Sequence, residues 1–111
     1  MEALIKKDIS KLTIDNIENV KEVYELIKDD LKVGYCIINK DPKDQIKLFI
    51  DEDYRSNGYG KLFFKKVLDM FNEDVFVKTN NRRMINIIIY NNGKELYREN
   101  GINYYVIPKG N

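Results

Sequence analysis

The sequence contains no histidine and no tryptophan, one cysteine, two prolines and no long apolar run. Lack of histidine argues against Ser-His and Cys-His nucleophiles and against the usual zinc ligand sets, so no metal is expected. Cys36 alone makes no internal disulfide. It stands in an apolar, strand-like stretch, where a thiol is expected to be buried and structural rather than nucleophilic. No stretch approaches the roughly eighteen apolar residues of a membrane span, and the opening "MEALIKKDIS" has no signal-peptide core. A cytoplasmic protein without a membrane partner is therefore expected. Its chemistry has to run on carboxylates, tyrosines, backbone dipoles or water.

What is present describes an ordinary folded domain. With 111 residues, 43% of them hydrophobic and 33% charged, the chain is one domain's worth of sequence, 1–111, with no repeat or linker. The net charge of +1 hides a split. Residues 1–53 carry nine Lys/Arg against thirteen Asp/Glu, whereas 54–111 carry ten against five. Such a split is ordinary solvated surface, or it marks a basic half that holds an anion and an acidic half that attracts a cation.

Periodicity gives a mixed α/β (α+β) pattern. "EALIKKDI" reads as a strand, residues 13–21 as a short helix, and the stretch around Asp29-Asp30 as a hairpin. "QIKLFID" alternates Ile46, Leu48 and Ile50 against Phe49, as a central strand does. A buried helix follows the glycines, then the strand "DVFVKT", the helix "RRMINIIIYNNG" stopped at Gly93, and a hairpin turning at Asn100-Gly101.

The stretch "DEDYRSNGYGKLFF", residues 51–64, carries the chemistry. Gly58 and Gly60 sit between a strand and a helix, behind Arg55. Bare backbone there lets successive N–H groups and the helix dipole converge on a phosphate. A P-loop is excluded because Leu62 follows Lys61, and a dinucleotide fingerprint because Phe63 stands where its third glycine belongs. The run Arg55-Ser56-Asn57-Gly58-Tyr59-Gly60, led in by "KLFIDEDYR", resembles the acetyl-CoA loop of the GNAT superfamily of N-acetyltransferases. The resemblance is most specific over 42–72 and extends over 74–109.

That resemblance implies a mostly antiparallel central sheet, splayed at the coenzyme A site, with helices on both faces. It implies that the backbone of Phe49 and Ile50 pairs with the pantetheine arm. The amides of Arg55, Ser56, Asn57, Gly58, Tyr59, Gly60 and Lys61 would hold the diphosphate, and Asn80 or Asn81 would contact the arm. A side chain at Gly60 would then crowd the phosphate. In the family a carboxylate commonly activates the amine and a tyrosine protonates the thiolate. Asp44 stands at the matching carboxylate position, with Glu52 and Asp53 as alternatives. The tyrosine has two registers. If "RRMINIIIYNNG" is the family's last major helix, its usual position falls at Ile88 or Ile89 with Tyr90 adjacent; if "KELYRENGI" is the match, Tyr97 is the residue.

The expected activity is transfer of an acetyl group from acetyl-CoA to a primary amine, such as a polyamine, an amino sugar or a protein lysine. A cationic acceptor would face the acidic first half. The family's N-terminal helices are short here, so a partner subunit, such as a second copy in a homodimer, or a large acceptor would complete the site. The alternative of another class is a silent coenzyme A-binding module. Nucleic-acid binding is disfavoured because Lys and Arg form no stripe along the sequence.

Overall fold

The computed structural model describes residues 1–110. Four strands form an antiparallel meander: β1 (Glu2–Lys6), β2 (Val20–Lys28), β3 (Leu31–Asn39) and β4 (Ile46–Ile50), in that spatial order. The β2–β3 turn places both Asp29 and Asp30 at positive φ, 50° and 67°, the conformation that matches strand twist in a tight hairpin. The helix expected over 13–21 is reduced to a single 3-10 turn, Ile17–Asn19. The ladder claims Val20 and Val23 for β2, and too few residues remain to repay helix nucleation. Ile14 instead packs with Ile9 and Leu12 onto Val20, Val23 and Ile37. The first strand likewise ends at Lys6, before a 3-10 turn at Ile9–Lys11.

The second half runs α1 (Tyr59–Leu68), β5 (Val75–Thr79), α2 (Arg82–Tyr90), β6 (Lys94–Glu99) and β7 (Ile102–Ile107). Its strands make a separate antiparallel sheet in the order β5-β7-β6. Asn100 and Gly101 close the β6–β7 hairpin with φ of 52° and 78°. Gly93 follows α2 as expected, and its N–H bonds back to the Ile88 carbonyl at 2.8 Å.

Both helices feed one core. Phe63, Phe64 and Val67 of α1 and Ile88 of α2 are fully buried with Leu26, Cys36, Val77 and Tyr105 from the two sheets. The expectation of helices on both faces is therefore corrected. Cys36 enters this core and its neighbour Ile37 enters the Ile9–Leu12–Ile14 cluster, so the far face of the first sheet is covered by the 3-10 turn at Ile9–Lys11 and the chain after it rather than by an α-helix. Among the described residues no helix is long and apolar enough to cross a membrane.

The two sheets meet at one seam. The Gln45 N–H donates to the Phe76 carbonyl at 2.8 Å, and the Phe76 N–H donates to Gln45 Oε1 at 2.8 Å. The Lys78 N–H donates to Asp44 Oδ1 at 3.3 Å. Asn39 braces this corner, donating through Nδ2 to the Asp44 carbonyl and through its backbone to that of Gln45. Beyond the seam no ladder joins β4 to β5.

Candidate functional site

Where β4 and β5 part, a cleft of about 750 Å³ opens. Its walls are β4, the loop Tyr54–Gly60, the start of α1, the end of β5 and the first turns of α2. The Gln45 carbonyl and the Asp51 N–H both bond to β3. Since backbone groups alternate in direction along a strand, Lys47 and Phe49 also point their N–H and C=O at β3. Leu48 and Ile50 therefore present theirs to the cleft. Phe49, expected to pair with the arm, has its own groups committed to Tyr35, so the open groups on this edge include those of Leu48. The Ile50 carbonyl accepts from Arg55 Nε at 2.9 Å, so at Ile50 only the N–H stays open.

The loop is shaped by its own backbone. A 3-10 turn at Glu52–Tyr54 leads into Ser56 and Gly58, both at positive φ, 68° and 77°. Asn57 Nδ2 donates back to the Tyr54 carbonyl at 3.0 Å, which holds the bend. Helix α1 starts without a side-chain cap, and its first intrahelical bond runs from the Leu62 N–H to the Gly58 carbonyl. The N–H groups of Tyr59, Gly60 and Lys61 thus have no helical partner and stand at the cleft. A Cβ on Gly60 would lie 3.3 Å from Ile87 Cδ1 and 4.0 Å from Ile50 Cγ1. Its bareness therefore serves the close approach of α1 to α2, and a side chain there presses on Ile87 rather than on the loop's open side.

Electrostatics distinguish the cleft from the rest of the surface. Lys47, Arg55, Lys61, Lys78 and Arg83 line it and no carboxylate does. None of these cations forms an ion pair among the described residues. The acidic side chains of the first sheet are engaged elsewhere, Glu22 with Lys6, Glu25 with Lys7 and Lys32, and Glu2 with Lys28. The carboxylates of the acidic first half that are exposed and in no ion pair among the described residues include Asp51, Glu52 and Asp53, next to the loop but not among the residues that line the cleft. Lys47, Lys78 and Arg83 were missed by sequence reading, because nothing local links residues 47, 78 and 83.

The three candidate catalytic side chains do not converge. Asp44 is 4% exposed and lies in the seam, not along the cleft wall. Burial raises its pKa above the ordinary 3.8, more than the Lys78 N–H lowers it. Tyr90, 64% exposed, ends α2 outside the cleft with Lys61 Nζ 3.5 Å from its ring centroid. Tyr97 lies on β6, stacked on Tyr104, also outside. At the helix position where a tyrosine would be expected stand Ile88, fully buried, and Ile89. The tyrosines that do line the cleft are Tyr54 and Tyr59. Of the two asparagines, Asn81 lines it and caps α2, its Oδ1 accepting from the Met84 N–H at 3.1 Å. Burial pushes the Cys36 thiol up to about 12, which makes it inert at neutral pH.

Asp44 gives a stability test. A carboxyl whose folded pKa is raised stabilises the fold fully below its unfolded pKa and loses that contribution as pH rises through the folded value. Asp44→Asn keeps an acceptor for the Lys78 N–H without a buried charge, so it is expected to be more stable than the parent at pH 7 and flatter in its pH dependence. Asp44→Ala strands that N–H and is expected to lose about 1–3 kcal/mol. Urea melts across pH 4–8 check both; a less stable Asn variant at neutral pH would show that the carboxylate is stabilising where it stands.

Compared with known proteins, the chain matches no family model and no curated sequence.

Proposed function

We propose that the cleft binds the thioester of coenzyme A and that the protein transfers its acetyl group to an amine, in a GNAT-like arrangement. The observation that supports this is the gap between β4 and β5, flanked by open strand amides, leading to uncapped helix amides among unpaired cations. A slender polar arm can pair with the open groups of Leu48 and Ile50 as an added strand would. A diphosphate can accept from the amides of Tyr59, Gly60 and Lys61, with Arg55 and Lys61 beside it. The amine then attacks the thioester carbon, whose oxygen is polarised by an open β4 N–H.

A second reading, a silent coenzyme A-binding module, draws on the exclusion of Tyr90 and Tyr97 from the cleft. The two separate in one experiment. At a hundred times its dissociation constant a ligand adds about 2.7 kcal/mol, several degrees of melting temperature for a domain this size. Acetyl-CoA and CoA are expected to give that shift and ATP a smaller one. Equal shifts would make the cleft a general polyphosphate site, and none would remove the coenzyme A assignment. Thiol release from acetyl-CoA on adding amines then distinguishes transferase from silent module.

A further inference from the structure

The cleft also opens on the face of the sheets turned away from the main core. Phe49 and Lys47 alternate with the inward Ile46, Leu48 and Ile50, and Lys78 and Tyr104 alternate with the buried Val77 and Tyr105. On one side Tyr35 and Phe49 stack with centroids 4.7 Å apart and planes at 20°. On the other Tyr97 and Tyr104 stack at 4.5 Å and 13°. Lys47 and Lys78 lie between the pairs along the cleft, and Lys78 Nζ is 6.0 Å from the Tyr104 centroid. This strip is aromatic, cationic, aromatic, and neither lysine is ion-paired among the described residues.

Resting on the acyl-transfer reading above, we propose that the acceptor is an aromatic amine bearing a carboxylate, of the aminobenzoate class. Phe49, which lines the cleft with Tyr35 stacked behind it, and the Tyr104 ring beside Lys78 offer stacking and edge contacts to a ring. Lys47 and Lys78 offer charge-assisted hydrogen bonds to a carboxylate. The attacking nitrogen also has to be neutral. Neighbouring cations disfavour an ammonium, and the cleft wall has no carboxylate or imidazole to take a proton from one. An arylamine meets that condition, being neutral at pH 7 before it binds. In the reaction its nitrogen forms a bond to the acetyl carbon while the C–S bond breaks and its electron pair leaves on sulfur. The proton lost from nitrogen ends on the coenzyme A thiolate, giving an anilide and free thiol.

The test uses 4-aminobenzoate, aniline and spermidine with the full chain, read by calorimetric binding and by thiol release from acetyl-CoA. Expected is binding of 4-aminobenzoate, about tenfold weaker in Lys78→Gln, with aniline binding unmoved by that substitution because it has no carboxylate to lose. Thiol release is expected with 4-aminobenzoate and not with spermidine. Failure of 4-aminobenzoate to bind, with or without CoA, overturns the inference. So does thiol release with spermidine but not with 4-aminobenzoate, an outcome that leaves acyl transfer standing. Lysine-dependent 4-aminobenzoate binding without any CoA binding would support the ligand class of this face and overturn acyl transfer instead.

Discussion

Gly34→Ala is expected to cost about 3 kcal/mol, out of a total stability of roughly 5–15 kcal/mol for a domain of this kind. Gly34 lies on β3 opposite Ile50. A Cβ there would sit 2.0 Å from the Phe49 carbonyl oxygen and 3.0 Å from the Ile50 Cα. These are backbone atoms, so no rotamer change relieves the overlap, and β4 itself has to move. Because the opposite edge of β4 forms the cleft wall, the substitution is expected to weaken ligand binding as well as the fold. In urea the midpoint should fall by roughly 1.5 M. Gly58→Ala is the control: that position has φ of 77° but nothing within 4 Å, so only backbone strain of about 1 kcal/mol is expected. Equal losses at the two positions would show that the β3–β4 approach is looser than described.

Arg55→Glu is expected to weaken CoA binding about 100-fold. Its Nε donates to the Ile50 carbonyl, which fixes the side chain along the cleft wall and leaves the terminal nitrogens open to the phosphate proposed above. Reversal removes a charge-assisted hydrogen bond and adds repulsion, together about 3 kcal/mol. The residue is exposed and its side chain bonds only to that carbonyl, so melting temperature should change little. Calorimetry at two ionic strengths provides the check, with added salt weakening the parent more than the variant. A loss of less than threefold would take Arg55 out of the proposed phosphate site and leave it as a strand cap.

Elements decided by neighbouring residues were legible in the sequence. Asn100-Gly101 specifies its hairpin through two positive φ angles, and Gly58 marks the start of α1 because both the turn and the uncapped helix are local. Residues 13–21 misled because Ile14, Ile17 and Val20 satisfy a helical period, yet ladder pairing decided the outcome. The seam was illegible, since Asp44 and Gln45 find Lys78 and Phe76 more than thirty residues away. Asp44 therefore read only as a candidate base, although it ties the two sheets together. The same distance hid the gathering of Lys47, Lys78 and Arg83.

The order of strands also bears on how the molecule is made. Each pairing in the first sheet joins strands consecutive in the chain, so the meander can complete its ladder as soon as Ile50 has left the ribosome. It does so with the face bearing Leu26 and Cys36 still waiting for α1 and β5 to cover it. The cleft is assembled last, because its second wall and both fastenings at Phe76 and Lys78 arrive with the later part of the chain. A nascent chain halted before Val75 would hold a finished ladder, an apolar face covered by α1 alone and no cleft.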